Sequence, residues 1–194
     1  MILKSLKTFS QNIHKNRLLT NTILENNKNF NIIFIQESLW SIIYNIPSSI
    51  SEEGEVIVRA FYYLLWMLFT RLLHIENDYP RVLTYINIKL IRLHFLFRKD
   101  IFNYKNINLI FFFNWGVICF IINIYSDNQQ SILKYLKNTE VNLNNILIMT
   151  GDFNIRDNKW DISYLYHLIH TDTLRKIANS FNLELSLPIN QVST

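Results

Sequence analysis

The chain of 194 residues holds one cysteine, three glycines and three prolines. One cysteine excludes an intrachain disulfide, so the chain has no disulfide partner, and it excludes any cysteine-rich zinc site. Cys119 sits in an apolar run and reads as an inert buried thiol, consistent with a reducing intracellular compartment, nuclear or cytoplasmic. A continuous apolar core is missing from the first residues, where Lys4 and Lys7 alternate with Leu3 and Leu6, so no signal peptide is expected. Charge is scarce too, at 18% against 49% hydrophobic residues. Nineteen basic and fifteen acidic residues leave a net charge of +4. That balance suits a polyanionic partner but is also an ordinary surface charge. The length predicts one domain, residues 1–194, large enough to bury a substantial core. There are no internal repeats, and the richness in Asn, Ile and Lys carries no message of its own.

With so few glycines, the use of Gly151 stands out. It lies in Asn145-Ile-Leu-Ile-Met-Thr-Gly-Asp-Phe-Asn154, where the apolar run Ile146–Met149 is short enough for a strand buried on both faces. The run stops at Thr150-Gly151, and Asp152 and Asn154 follow. Alternating residues of an extended segment point the same way, so that carboxylate and amide are expected to leave the strand on one side. Such a pair suits a metal or phosphate site, and it equally suits a polar turn capping the next helix. Asn31-Ile-Ile-Phe-Ile-Gln-Glu37 repeats the construction, a strand core at Ile32–Ile35 that ends in an acid. Two buried strands that each deliver an acid at the exit describe a site assembled from separated segments.

Elsewhere the pattern alternates strands with a few helices. An opening strand within Ile2–Ser10 leads to Asn12, and Lys15–Asn27 reads as a surface helix. Pro47-Ser-Ser and Ser51–Gly54 mark a loop. Residues 55–74 contain the run Phe61–Phe69, read as a strand region, with a membrane-touching helix as the alternative. Arg81–Ile88 and Leu93–Phe97 read as strands. Ile107–Phe113 and Val117–Ile124 form a hairpin across Asn114-Trp-Gly116. Together they could pass for a membrane span, but Asn106, Asn108, Asn114 and Asn123 would be costly in lipid. Asp127 with Gln130 resembles a capping box for a helix through Ile132, Leu133 and Leu136. Asp172–Phe181 reads as a further helix, and Pro188 ends the pattern.

Ser10-Gln-Asn12, Ile35-Gln-Glu37, Ile124-Tyr-Ser126 and Gly151-Asp-Phe-Asn154, in that order, resemble the endonuclease/exonuclease/phosphatase superfamily. Within it the chain is most similar to the endonuclease domain of non-LTR retrotransposons, and Leu185–Thr194 looks like the family's next segment. The resemblance implies an α/β fold, a two-layer β-sandwich flanked by helices (DNase I-like). It also implies hydrolysis of DNA phosphodiesters with Mg²⁺ or Mn²⁺. Carried onto this sequence, Glu37 would hold the metal with help from Asn12. Asp152 would orient or deprotonate the attacking water. Asn12, Asn154 and Tyr125 would contact the phosphate, although Tyr125 on its own residues reads as a strand-end aromatic packed at the rim. The 194 residues contain no Ser-Asp-His motif of the family's type, which implies a copy incomplete at its C-terminal end, weakly active or inactive, with an open sheet edge. His167 and His170, three apart, could mimic a metal pair but lack a third ligand and read as surface or packing residues.

Two other classes stand beside the nuclease. One is a catalytically dead nucleic-acid-binding module using Lys89, Arg92, Arg98 and Lys99, which also read as a solvated face. The other is a small membrane-associated protein built on the two apolar runs.

Overall fold

The run Ile32–Gln36 forms strand β2 and is buried at every position. Alternation explains how: Ile32 and Phe34 enter one apolar core while Ile33 and Ile35 enter another. A strand covered on both faces has no solvent side, so its first four residues are apolar and only its last, Gln36, is polar. The computed structural model describes residues 6–37, 44–47, 57–60, 64–69, 80–94, 96–99, 106–114, 116–127, 131–138, 145–155 and 169–184.

β2 lies in the first of two four-stranded sheets. β1 (Thr8–Asn12) pairs with it in parallel, and β6 (Val82–Asn87) pairs antiparallel on its other side, followed by β5 (Trp66–Phe69). The second sheet is built from the hairpin β8 (Ile107–Asn114) and β9 (Val117–Tyr125), with β7 (Leu96–Lys99) beside β8. β10 (Ile146–Asp152) runs parallel to β9. A separate two-stranded ribbon joins β3 (Tyr44–Pro47) to β4 (Ile57–Ala60).

The sheets face each other. Ile32, Phe34 and Ile86 of the first meet Ile110, Phe112, Cys119 and Ile121 of the second in one core. Helices cover the outer faces. α1 (Arg17–Asn26) starts where the Asn16 side chain accepts the Leu19 N–H at 3.1 Å, and it buries Thr20, Ile23 and Leu24. On the other side α3 (Ser131–Asn138) and α4 (Ile169–Ser180) bring Ile132, Leu133, Leu174 and Ile177 onto Ile122 and Ile124. The architecture is therefore the expected sandwich with flanking helices.

The polar residues inside the apolar strands hold the two sheets together. Gln36 donates to Asn123 Oδ1 at 2.7 Å, and the Asn123 amide donates to the Leu83 carbonyl at 2.9 Å and Thr84 Oγ1 at 3.3 Å. The Asn108 amide donates to the Phe69 carbonyl. These bonds cross from one sheet to the other in a buried seam, where each is electrostatically stronger than in water. Two of the asparagines that argue against a membrane span, Asn108 and Asn123, thus have structural work in a sandwich. Among the described residues no helix is long and apolar enough to cross a membrane.

Several local expectations shift. β5 falls inside Phe61–Phe69, as a strand. Residues 88–93, after β6, turn into the short helix α2, capped by the Asn87 side chain, and the following strand begins at Leu96 and not at Leu93. Six residues are too few for a periodic signal to emerge. The Asp127 carboxylate caps α3 by accepting from both the Ser131 N–H and Oγ–H, at 2.9 and 2.8 Å. Gln130, Pro188 and the segment Leu185–Thr194 lie outside the described residues.

Candidate active site

Both parallel pairs end at the same pole of the sandwich. Asn12 stands in register with Gln36, and Asp152 with Tyr125. In-register neighbours of parallel strands project to the same face. At this pole all four project toward the seam between the sheets. Two hydrogen bonds then cross the seam. The Asn12 amide donates to Asp152 Oδ2 at 2.5 Å, from the first sheet to the second. The Tyr125 hydroxyl donates to Glu37 Oε1 at 2.8 Å, from the second to the first. Four residues separated by up to 140 positions thus form one cluster.

The backbone is bent to allow this. β10 continues through Thr150-Gly151, where the sequence pattern stops it, and ends at Asp152. Gly151 has φ of +148°, and a Cβ there would sit 1.9 Å from the Ile124 carbonyl oxygen. Only glycine lets the two chains approach so closely, and that approach carries Asp152 to Tyr125. Glu37, His14, Lys15 and Asn154 all take the left-handed conformation, with φ between 46° and 60°. For Lys15 and Glu37, which lack the short side chains that favour it, this costs on the order of 1 kcal/mol each and is held by surrounding structure. Here the holding bond is the Lys15 N–H to the Glu37 carbonyl, 2.8 Å.

Asn154 lies beyond the strand, so alternation does not send its amide the way of Asp152. Its side chain donates to the Ser126 carbonyl at 2.5 Å, and its N–H donates to Asp152 Oδ1 at 2.9 Å. The residue sits beside the cluster and braces its loop and its carboxylate.

His14 and Arg81 join the cluster unannounced by the sequence. His14 Nδ1 lies 2.9 Å from Glu37 Oε2. An ionised carboxylate only accepts, so Nδ1 carries the proton. The His14 N–H is held by Asn12 Oδ1 at 2.9 Å. Its one sequence signal was position, two residues after Asn12. Arg81 lies with its guanidinium carbon 5.0 Å from the centre of the Tyr125 ring. Nothing local marks Arg81; the antiparallel register that pairs Val82 with Gln36 brings it abreast of Glu37. His170 is exposed in the first turn of α4, and His167 lies outside the described residues. Lys89 and Arg92 are on α2, at the pole opposite Glu37, because β6 runs away from the cluster. Arg98 and Lys99 are on β7, the far edge of the second sheet.

The electrostatics keep one acid charged and one phenol neutral. Burial works to raise the Glu37 pKa, but the hydrogen bonds from Tyr125 and His14 and the nearby charges of His14 and Lys15 outweigh it, leaving the pKa below its ordinary value. Tyr125 moves the other way: burial first, then its bond to Glu37, push it above the ordinary phenol value.

Among the described residues no three His, Cys, Asp or Glu side chains group as a closed metal cage. The oxygen donors present suit a hard ion bound openly. Mg²⁺ takes one or two carboxylates and retains several waters. Glu37 spends one lone pair per oxygen on Tyr125 and His14, and its other lone pairs remain to meet a cation.

No family model matches the chain, and no curated protein matches it. Among solved structures it is similar to the endonuclease domain of TRAS1, a telomere-specific non-LTR retrotransposon. The TM-score is 0.62 at 12% identity, over 91% of this chain and 71% of that one. The resemblance read from the motifs thus holds at the level of the fold, which is endonuclease/phosphatase-like (DNase I-like).

Proposed function

We propose that this domain hydrolyses phosphodiester bonds in DNA with the help of Mg²⁺ or Mn²⁺, as an endonuclease of the retrotransposon type. The observation that carries the reading is the cluster of Asn12, Glu37, Tyr125 and Asp152, delivered to one seam by four strands of two sheets. Acid, amide and phenol converging at strand ends suit phosphoryl chemistry, where positioning and electrostatics supply most of the rate.

Glu37, with Asn12 nearby, is the residue to hold the cation. When bound, that ion supplies positive charge against the phosphoryl and leaving oxygens. Asp152 orients the attacking water and takes its proton as the new P–O bond forms and the bond to the leaving sugar oxygen breaks. The Asn12 amide and the Asn154 N–H fix the two oxygens of that carboxylate, so its orientation is set before substrate arrives. Tyr125 keeps its proton at neutral pH, so it is a donor and not a nucleophile; its one O–H, given to Glu37 in the free site, would turn to the phosphate once a cation occupies that carboxylate. Asn154, tied to Ser126, contributes by holding the loop and, on substrate binding, by its amide.

Nicking of supercoiled plasmid, with Mg²⁺ and with chelator, tests the proposal. Metal-dependent nicking that falls about a hundredfold or more in Glu37→Ala and in Asp152→Asn is expected. A folded protein that binds DNA irrespective of Mg²⁺ and never nicks would instead support a nucleic-acid-binding module.

A further inference from the structure

We infer that Arg81 is a substrate-phosphate-binding residue, its guanidinium held on the Tyr125 ring so that its N–H fork grips a backbone phosphate beside the cluster. The inference rests on the DNA-cleaving reading above and goes beyond the four motifs that suggested it.

Arg81 is exposed at the start of β6, one step past the Val82–Gln36 pair, so it stands at the rim next to Glu37. An exposed arginine ordinarily keeps its long side chain in many rotamers. Stacking on an aromatic face restricts it, which lowers the entropy lost when the fork closes on an anion. Among the described residues no carboxylate forms an ion pair with its guanidinium; the ion pair of this site joins His14 to Glu37. The Asp152 oxygens are met by Asn12 and by the Asn154 N–H. A planar cation without a carboxylate, restrained at the edge of a site that holds two acids, is complementary to a phosphodiester, whose oxygens it can take in a bidentate pair. The ring beneath it belongs to Tyr125, which donates to Glu37, so the same side chain organises the acid and the cation. Lys89 and Arg92, also exposed, sit at the far pole and offer a built-in comparison.

The test is fluorescence anisotropy with a short labelled DNA duplex in chelator, over a series of NaCl concentrations, with plasmid nicking run in parallel. Arg81→Ala is expected to weaken binding about tenfold and to lower the log–log salt slope by about one, the signature of one lost phosphate contact. Arg81→Lys should keep the slope but not the affinity, because charge remains while stacking and fork are gone. Lys89→Ala should bind like the wild type. A wild-type slope and affinity in Arg81→Ala would overturn the inference, and so would an equal loss in Lys89→Ala, which would signify general charge alone. Those results leave the nuclease reading intact when the wild type nicks. A folded wild type that does not bind the duplex would sink both.

Discussion

The two poles of the sandwich are built on opposite rules. At one, β1, β2, β9 and β10 end in polar side chains that bond across the seam, and four non-glycine residues hold left-handed backbone. At the other, the β8–β9 hairpin turns through Gly116, and Phe113, Val117, Ile118 and Leu147 stand 41–48% exposed. There the one left-handed non-glycine residue among those described at the tip is Asn145 (φ 69°), a residue type that favours that conformation, and its amide donates to the Ile118 carbonyl at 3.3 Å. Strain and convergent polar groups together mark the first pole as the functional one, since backbone strain is retained where the surrounding structure over-determines it. Among the described residues the apolar tip gathers no such cluster of polar groups.

The contrast is broken most severely at Gly151. Gly151→Ala places a methyl group against the Ile124 carbonyl oxygen, so either β10 leaves β9 or Asp152 leaves Tyr125. A loss of about 4 kcal/mol or outright failure to fold is expected by urea denaturation. A mild effect would mean that the close approach is dispensable.

Next comes the buried clamp behind the site. Asn123→Ala leaves the Gln36 amide with the Ser10 hydroxyl alone and removes bonds to Leu83 and Thr84, and should cost about 2–3 kcal/mol. Replacing both partners, as in Gln36→Met with Asn123→Leu, should cost less than the sum of the single changes, because no donor is left unpaired. Additive losses in that cycle would argue that the two side chains act separately.

A smaller effect is expected from acid. The folded pKa of Glu37 lies below its ordinary value, so its stabilising share is fully present above the unfolded carboxylate pKa. That share disappears as pH falls through the folded value. Thermal melts over this acidic range should therefore fall less steeply in Glu37→Gln than in the wild type. Equal slopes would mean the bonds from Tyr125 and His14 add nothing to stability.

The far pole should barely respond. Val117→Thr and Ile118→Thr are expected to change stability by within about 0.5 kcal/mol and to leave nicking and duplex binding unaltered. An activity change there would erase the distinction between the poles.

What was legible in the sequence follows from chemistry that acts over a few residues. The apolar runs around Ile32–Ile35, Val117–Ile124 and Ile146–Met149 announced strands because short β-branched runs bury on both faces. Asn114-Trp-Gly116 announced the turn between two of them. Glu37 and Asp152 were visible because each follows such a run, Asn12 and Tyr125 through the family resemblance, and the structure brings all four together. Register and approach were not legible, since they depend on segments far apart in the chain. Only the pairing of β2 with β6 sets Arg81 abreast of Glu37, and only the left-handed turn after Asn12 swings His14 onto the same carboxylate. Asn154 shows the limit from the other side: its motif was plain, but its amide direction was decided by the Ser126 carbonyl. Sequence by itself determined which segments extend and which residues leave their ends. Tertiary structure decided which ends meet, because a hydrogen bond across the seam exists only after two sheets have packed.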